Sequence, residues 1–115
     1  VSFGVMGGDF QPMGHVQIIM NLVDFGMNLQ EAGDAPRINH SGGSDPTGKA
    51  NPEKGVIQLE SAFDYQVIRE LMEMGHNVGF IFGDYGGYQA IMYDARRKVY
   101  FGASESRKDG QAAGY

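Results

Sequence analysis

The sequence of 115 residues predicts an α+β fold, in which helices pack beside a β-sheet. Short apolar segments bounded by glycine and polar residues are typical of strands, whereas two longer segments repeat their apolar residues at helical spacing. Glycine and proline separate the two kinds of segment. Because 42% of the residues are hydrophobic, a chain of this length can form the modest core that one domain needs.

The first predicted strand covers residues 2–6 and stops at Gly7 and Gly8. Two consecutive glycines after a strand, close to the start of a helix, leave backbone N–H groups that no neighbouring strand pairs. Such groups can bind an anion, or the oxyanion that develops in acyl transfer. A tight turn is the alternative interpretation, because glycine pairs also serve close backbone packing.

Residues 14–27 predict the first helix, and its apolar side chains fall on two sides. A helix that is apolar on two sides usually lies between two layers of structure. Asn28 and Glu31 stand at capping-box spacing and predict a second, short helix that ends at Pro36. The two stripes of the first helix are Val16, Ile19, Met20, Val23 and Met27 on one side, and Ile18, Leu22 and Phe25 on the other.

Two extended segments are predicted at residues 37–40 and 55–60, on either side of a loop at residues 41–54. The loop is rich in glycine and contains proline. A loop of this length in a compact domain is either functional or mobile.

Ser61 together with Asp64 predicts the cap of another helix, and Gly75 predicts its end. The apolar stripe of this helix consists of Tyr65, Ile68, Leu71 and Met72. The remaining strands are predicted at residues 78–82, 89–93 and 99–103, and the last two form a hairpin through residues 94–98.

Composition excludes several classes of function. The formal net charge of −5 argues against nucleic acid as a partner, and the basic cluster Arg96–Lys98 is interpreted as a solvated hairpin turn. The sequence has no cysteine, so it predicts neither a disulfide framework nor a thiol nucleophile. The apolar runs are too short for a membrane span. His40 and His76 lack metal-ligand spacing, and no metal or other cofactor is expected.

The chain carries, in order, the blocks Met6–Asp9, Val16–Ile19, Asn21–Asn28, Glu31–Ala32, Asp34–Arg37, Gly102–Ser104, Arg107, Asp109–Gly110, Ala113 and Gly114–Tyr115. Together these blocks resemble the C-terminal part of the small subunit of γ-glutamyltranspeptidases, a family of self-cleaving N-terminal-nucleophile hydrolases. The resemblance implies that the chain forms part of a four-layer αββα fold. It also implies that Gly7 and Gly8 match the family's glycine pair, whose amides form the oxyanion hole.

The family's nucleophile is a threonine that becomes the N-terminal residue of the small subunit after autoproteolysis, and its α-amine can act as the base. This chain begins with Val1, and its only threonine, Thr47, matches no part of the nucleophile motif. Residues 1–115 are therefore expected to be a C-terminal fragment of the small-subunit domain, without its nucleophile and inactive alone. The expected partners are the remainder of the small subunit and the large subunit, or further copies of the chain. The sequence does not decide whether the protein is cytoplasmic or is periplasmic or secreted.

The resemblance implies a parent enzyme that cleaves or transfers γ-glutamyl groups, such as that of glutathione, through an acyl-enzyme. Many relatives carry proline before the glycine pair, whereas this chain has Met6, and the stretch from Gln11 to His15 looks more like the divergent acylase branch. A glutaryl-type or small-amide acylase is therefore the enzymatic alternative. A non-catalytic structural fragment is the second alternative, because the threonine is missing.

Other polar residues are interpreted as structural. His15 could contact substrate or the helix start, and the structural interpretation is favoured. A contact between Asp34 and Arg37 is expected to join the end of a helix to the following strand. An ion pair between Arg107 and Asp109 is expected to anchor the C-terminus. The glycine-rich segment 83–88 lacks the lysine and the hydroxyl residue of a P-loop, so it is interpreted as a flexible connection between strands.

Overall fold

The computed structural model of the chain describes residues 1–43, 48, 50–53 and 55–115. Thr47 and part of the predicted loop 41–54 lie outside the described residues. In chain order the elements are β1 (Ser2–Met6), α1 (Gln11–Val23), α2 (Leu29–Asp34), β2 (Ile38–Ser41), β3 (Val56–Leu59), α3 (Tyr65–Glu73), β4 (Asn77–Phe80), β5 (Gly87–Asp94) and β6 (Val99–Ser104), with a 3-10 turn at Gly8–Phe10. The predicted mixture of helices and strands is confirmed.

The chain forms two compact units. The first consists of Val1–Ala35 and Tyr85–Tyr115, and the second of Pro36–Asp84. Each unit has its own three-stranded sheet, in the order β1-β5-β6 in the first and β2-β3-β4 in the second. The candidate site residues Gly7 and Gly8 belong to the first unit.

The sheet of the first unit is antiparallel throughout, and Val5 lies opposite Tyr88. One face of this sheet is covered, because α1 packs on β1 and α2 packs on β5 and β6. Two glycines permit this close approach. A Cβ atom on Gly14 would lie 2.8 Å from the Val5 side chain, and one on Gly33 would overlap the ring of Tyr88.

The opposite face of the same sheet is apolar and exposed. Tyr93 and Tyr100 form a ring pair there with centroids 4.9 Å apart, and Ile91 lies beside them. The outer side of α1 is also exposed: Ile18 is fully buried, whereas Val16 and Val23 are 56% and 73% exposed. The prediction that α1 is buried on two sides is therefore wrong for this chain, because only one layer covers the helix.

The structure also corrects the bounds of α1. The helix begins at Gln11 rather than at residue 14, because Pro12 fits the first turn, where a backbone N–H has no partner to lose. It ends at Val23 rather than at residue 27, and Gly26 follows with φ 64°.

In the second unit, β2 and β3 are antiparallel, whereas β3 and β4 are parallel and joined through α3. The cap of α3 is Asp64, whose side chain accepts from the Gln66 N–H at 2.7 Å, so the predicted role of Ser61 is wrong. The predicted stop at Gly75 is confirmed: Gly75 has φ 87°, and the N–H groups of Gly75 and His76 bond back to the last turn. β4 ends at Phe80 rather than at residue 82.

The predicted capping box of α2 is confirmed. Asn28 Oδ1 accepts from the N–H groups of Gln30 and Glu31 at 3.0 and 2.9 Å, and Glu31 Oε2 accepts from the Asn28 N–H at 2.9 Å. The helix ends at Asp34, before Pro36, as predicted.

Replacing Asn28 with alanine is expected to lower the free energy of unfolding by about 1 kcal/mol, because two N–H groups lose their acceptor. Chemical denaturation of the protein measures this change. Asn28→Ser is the matched control, since it keeps a side-chain oxygen and should stay within a few tenths of a kcal/mol of the unaltered protein. An equal loss in both variants would show that the cap is not what stabilises α2.

Candidate active site

The glycine turn after β1 has a backbone conformation that other residues rarely adopt. Gly7 has φ 150° and Gly8 has φ 56°. A Cβ atom on Gly7 would lie 3.0 Å from the Gly86 Cα, so close backbone packing requires glycine at this position. A Cβ atom on Gly8 would meet no atom within 4 Å, so only the backbone angle favours glycine there.

The hydrogen bonds of this turn use its carbonyl groups. Gly7 O accepts from the Phe10 N–H at 3.1 Å, and Gly8 O accepts from the Gln11 N–H. Both glycines are exposed, and among the described residues no hydrogen bond is found that uses either of their N–H groups. Two adjacent donors are thus open to solvent next to a helix start, which is an arrangement that can bind an anionic oxygen.

A second glycine pair shapes this turn from the other strand. Gly86 has φ 71°, and a Cβ atom there would overlap the Met6 carbonyl oxygen. Gly87 lies opposite Met6 in the β1–β5 register. The sequence predicts this segment as a flexible connection between strands, whereas Tyr85 and Tyr88 beside the glycines are buried. The apolar strand segments next to both glycine pairs are the sequence signal that could have indicated this packing.

His15 bridges the two ends of the glycine turn. Its Nε2 accepts from the Val5 N–H at 3.4 Å, and its Nδ1 lies 2.7 Å from the Gln11 carbonyl oxygen. The ring also packs against Phe3, with centroids 5.5 Å apart. These contacts support the structural interpretation of His15, since both ring nitrogens face backbone groups.

A cleft of about 390 Å³ opens beside the glycine turn. Its lining includes the side chains of Met6, Gln11, His15, Gln89 and Lys108. A larger groove of about 850 Å³ in the same unit is lined mainly by apolar side chains of α1 and the β5–β6 hairpin, and it includes neither glycine of the turn. Neither glycine lines the smaller cleft either, but Met6 and Gln11, which flank the glycine turn in the chain, both line it, so this cleft adjoins the turn.

Arg107 anchors the C-terminal segment to the end of α2. Its guanidinium donates to the carbonyl oxygens of Gly33 and Ala35 at 2.8 and 2.9 Å and to Glu105 Oε2 at 2.6 Å. The Glu105 side chain is fully buried. The structural role predicted for Arg107 is thus supported, but its ion pair is formed with Glu105, whereas sequence analysis chose Asp109.

The remaining polar candidates lie outside this site. The Asp34 carboxylate accepts from Gln30 Nε2 at 2.8 Å, which ties the last turn of α2 to its first. Arg96–Lys98 form the exposed turn of the β5–β6 hairpin, as predicted, and Asp94 accepts from the first two N–H groups of that turn.

The described residues contain neither a metal-type cluster nor a membrane-type helix. No three side chains of histidine, aspartate or glutamate lie together there in a way that could hold a metal ion. The helices of that part of the chain also lack the length and hydropathy that crossing a bilayer requires.

Enzymes of acyl transfer bind an oxyanion with backbone N–H groups that have no other partner. This chain carries two such groups at the end of β1, beside helices and antiparallel strands. The chain belongs to the gamma-glutamyltranspeptidase family, whose model matches residues 1–115. The resemblance noted in the sequence blocks is confirmed.

The chain is similar to three relatives. The glutathione hydrolase-like YwrD proenzyme of Bacillus subtilis (strain 168) is 31% identical over 120 residues, which cover 99% of this chain and 21% of the relative. The acylase ACY 1 proenzyme of Pseudomonas sp. (strain V22) is 35% identical over 95 residues, which cover 83% of this chain and 15% of the relative. The crystal structure of a cephalosporin acylase from Bacillus halodurans matches 98% of this chain and 19% of its own, with a TM-score of 0.80 and 37% identity.

The chain therefore spans only 15% to 21% of the length of these relatives. The cephalosporin acylase structure and that of this chain share a mixed α and β fold. The four-layer αββα arrangement needs strands and helices beyond those found in this chain, so it stays a prediction.

Proposed function

We propose that this chain forms the C-terminal part of the small subunit of a γ-glutamyltransferase-like amidohydrolase and supplies its oxyanion hole. The observation that carries the proposal is the pair of exposed N–H groups on Gly7 and Gly8, in a chain matched by the family model over its full length. The nucleophile would be an N-terminal threonine in a part of the protein outside these residues.

In the proposed reaction the threonine hydroxyl attacks the carbonyl carbon of an amide, and the threonine α-amine takes the hydroxyl proton. The carbonyl oxygen becomes an anion, and the N–H groups of Gly7 and Gly8 donate to it. The C–N bond then breaks, and the departing amine takes the proton from the α-ammonium group. Water or a second amine attacks the resulting ester, which releases the free acid or the transferred product. Each N–H group of the oxyanion hole stabilises the transition state by about 3 kcal/mol.

The exposed apolar surfaces of the first unit fit a chain that is part of a larger enzyme. Ile91, Tyr93 and Tyr100 on the open sheet face would be covered by a second sheet of the proposed αββα fold, contributed by the remainder of the two subunits. Alone, the chain would leave these surfaces and the edge of β1 in water. We therefore expect residues 1–115 by themselves to be inactive, and to be marginally stable or to self-associate.

A glutaryl-type or small-amide acylase is the second candidate within the same mechanism. The observation that favours it is that acylases are among the similar proteins, at 35% identity over 83% of this chain and 37% over 98% of it. The acyl group would differ between the two candidates, whereas the oxyanion hole would be the same. A non-catalytic role remains the alternative for the isolated chain.

The test compares the complete protein with the 115-residue chain on glutathione, a glutaryl amide and a small primary amide. We expect the complete protein to release amine from at least one of them, and mass spectrometry to find the acyl group on an N-terminal threonine. The substrate that turns over fastest decides between the two candidates. Turnover by the 115-residue chain without any added subunit would contradict the proposed position of the nucleophile.

A further inference from the structure

One tautomer of the His15 ring satisfies both of its backbone contacts. The Gln11 carbonyl can only accept, so Nδ1 at 2.7 Å must carry the proton. The Val5 N–H can only donate, so Nε2 at 3.4 Å must carry the lone pair. The two contacts therefore fit the tautomer that carries its hydrogen on Nδ1.

These two contacts enclose the glycine turn. Val5 precedes Gly7 and Gly8 in the chain, and Gln11 follows them, so one rigid ring sets the separation between the two ends of the turn. Phe3 packs against the ring with centroids 5.5 Å apart and also against Tyr88 at 6.2 Å. A displacement of His15 would therefore move the backbone that carries both glycine N–H groups.

His15 also occupies the outer edge of β1. The Val5 N–H points to the imidazole rather than to β5, and N–H groups two residues apart in a strand point to the same edge. A further strand therefore cannot pair with β1 at Val5 while the ring is in place.

We propose that His15 is a positioning residue of the oxyanion site: it holds the Gly7 and Gly8 N–H groups in the orientation that binds the tetrahedral intermediate. This role rests on the proposed function. His15 itself transfers no proton and touches no reacting atom, because both of its nitrogens are engaged by backbone groups.

The matched variants are His15→Phe and His15→Gln in the complete protein. Phenylalanine keeps an aromatic ring against Phe3 but accepts no hydrogen bond, whereas the glutamine side-chain oxygen can reach the Val5 N–H. For His15→Phe we expect kcat to fall about tenfold to hundredfold with KM changed less than about twofold, as for a small misplacement of catalytic groups. His15→Gln should retain kcat within about threefold. Equal losses in the two variants, or no loss in His15→Phe, would overturn the proposal.

Phe3→Leu separates positioning from general stability. It weakens the packing around the ring but leaves both hydrogen bonds of His15 in place, so we expect a lower melting temperature with kcat within about threefold of the unaltered enzyme. A loss of kcat as large as that of His15→Phe would mean that His15 acts only through stability, and the proposal would fail.

Crystal structures of the complete protein and of the two His15 variants give a measurement that needs no activity. The Gly7 and Gly8 nitrogen atoms should move in His15→Phe and stay in place in His15→Gln. If they stay in place in both, the positioning role is wrong, whatever the kinetics. If they move as expected while the unaltered protein cleaves no amide, the proposed function fails and the positioning of the turn stands.

Discussion

Replacing Gly8 with alanine in the complete enzyme is expected to lower kcat about hundredfold, which corresponds to the loss of one oxyanion donor, worth about 3 kcal/mol. Gly8 has φ 56°, a conformation that costs alanine about 1–2 kcal/mol. The turn can relieve this strain by rotating the peptide that carries the Gly8 N–H. The new methyl group would also project into the exposed space beside the two donors, where no protein atom lies within 4 Å.

Gly26→Ala is the matched control for this prediction. Gly26 has φ 64°, and a Cβ atom there also meets no atom within 4 Å, so the two substitutions impose nearly the same backbone strain. Gly26 lies beyond the other end of α1, away from the glycine turn. Both variants should lose similar free energy of unfolding, while only Gly8→Ala should lose kcat. An unchanged kcat in Gly8→Ala, measured under saturating substrate, would reject the assignment of Gly8 to the oxyanion hole.

Replacing Arg107 with leucine is expected to lower the free energy of unfolding by about 3–5 kcal/mol, because the fully buried Glu105 carboxylate would lose a cationic partner at 2.6 Å. The same change removes the donors that reach the carbonyl oxygens of Gly33 and Ala35. The end of α2 and the C-terminal segment would then lose their connection. Urea denaturation of the protein that contains this chain measures the effect.

Arg69→Leu provides the comparison, since Arg69 forms an ion pair with Glu73 at 3.4 Å in which both side chains are more than 60% exposed. An exposed pair is worth about 0–1 kcal/mol, so the same substitution should have a small effect there. The double variant Arg107→Leu with Glu105→Leu should recover much of the loss, because it removes the buried carboxylate together with its ion-pair partner. If Arg107→Leu and Arg69→Leu lower the free energy of unfolding by similar amounts, burial of the ion pair is not what makes Arg107 important for stability.

The local elements could be predicted from the sequence because their causes lie within a few neighbouring residues. The strand at residues 2–6 follows from its apolar run, the α2 cap from Asn28 and Glu31, and the end of α3 from Gly75. The β5–β6 hairpin follows from a polar turn between two apolar segments. The cap of α3 was predicted from Ser61 together with Asp64, and the structure places it on Asp64 alone.

The candidate site could be predicted only in part. The glycine pair was visible as a strand end followed by a helical stretch, and its proposed chemistry came from the family resemblance. The contact of Gly7 with Gly86 and the bridge made by His15 were not predicted, because each depends on how β1, β5 and α1 pack. The same is true of the pairing between Arg107 and Glu105, since both the burial of Glu105 and the approach of α2 are needed.

The sequence by itself determined the family of the chain, the mixed α and β class, and the elements whose signals are capping residues, glycines and apolar periodicity. The tertiary structure decided that the strands divide into two three-stranded sheets, and that the N–H groups of Gly7 and Gly8 remain open to solvent. The physical reason is that capping and turn preferences act over three or four residues. Strand pairing and donor exposure, in contrast, depend on atoms that are brought together from positions more than 70 residues apart, as in the Met6–Gly87 pair.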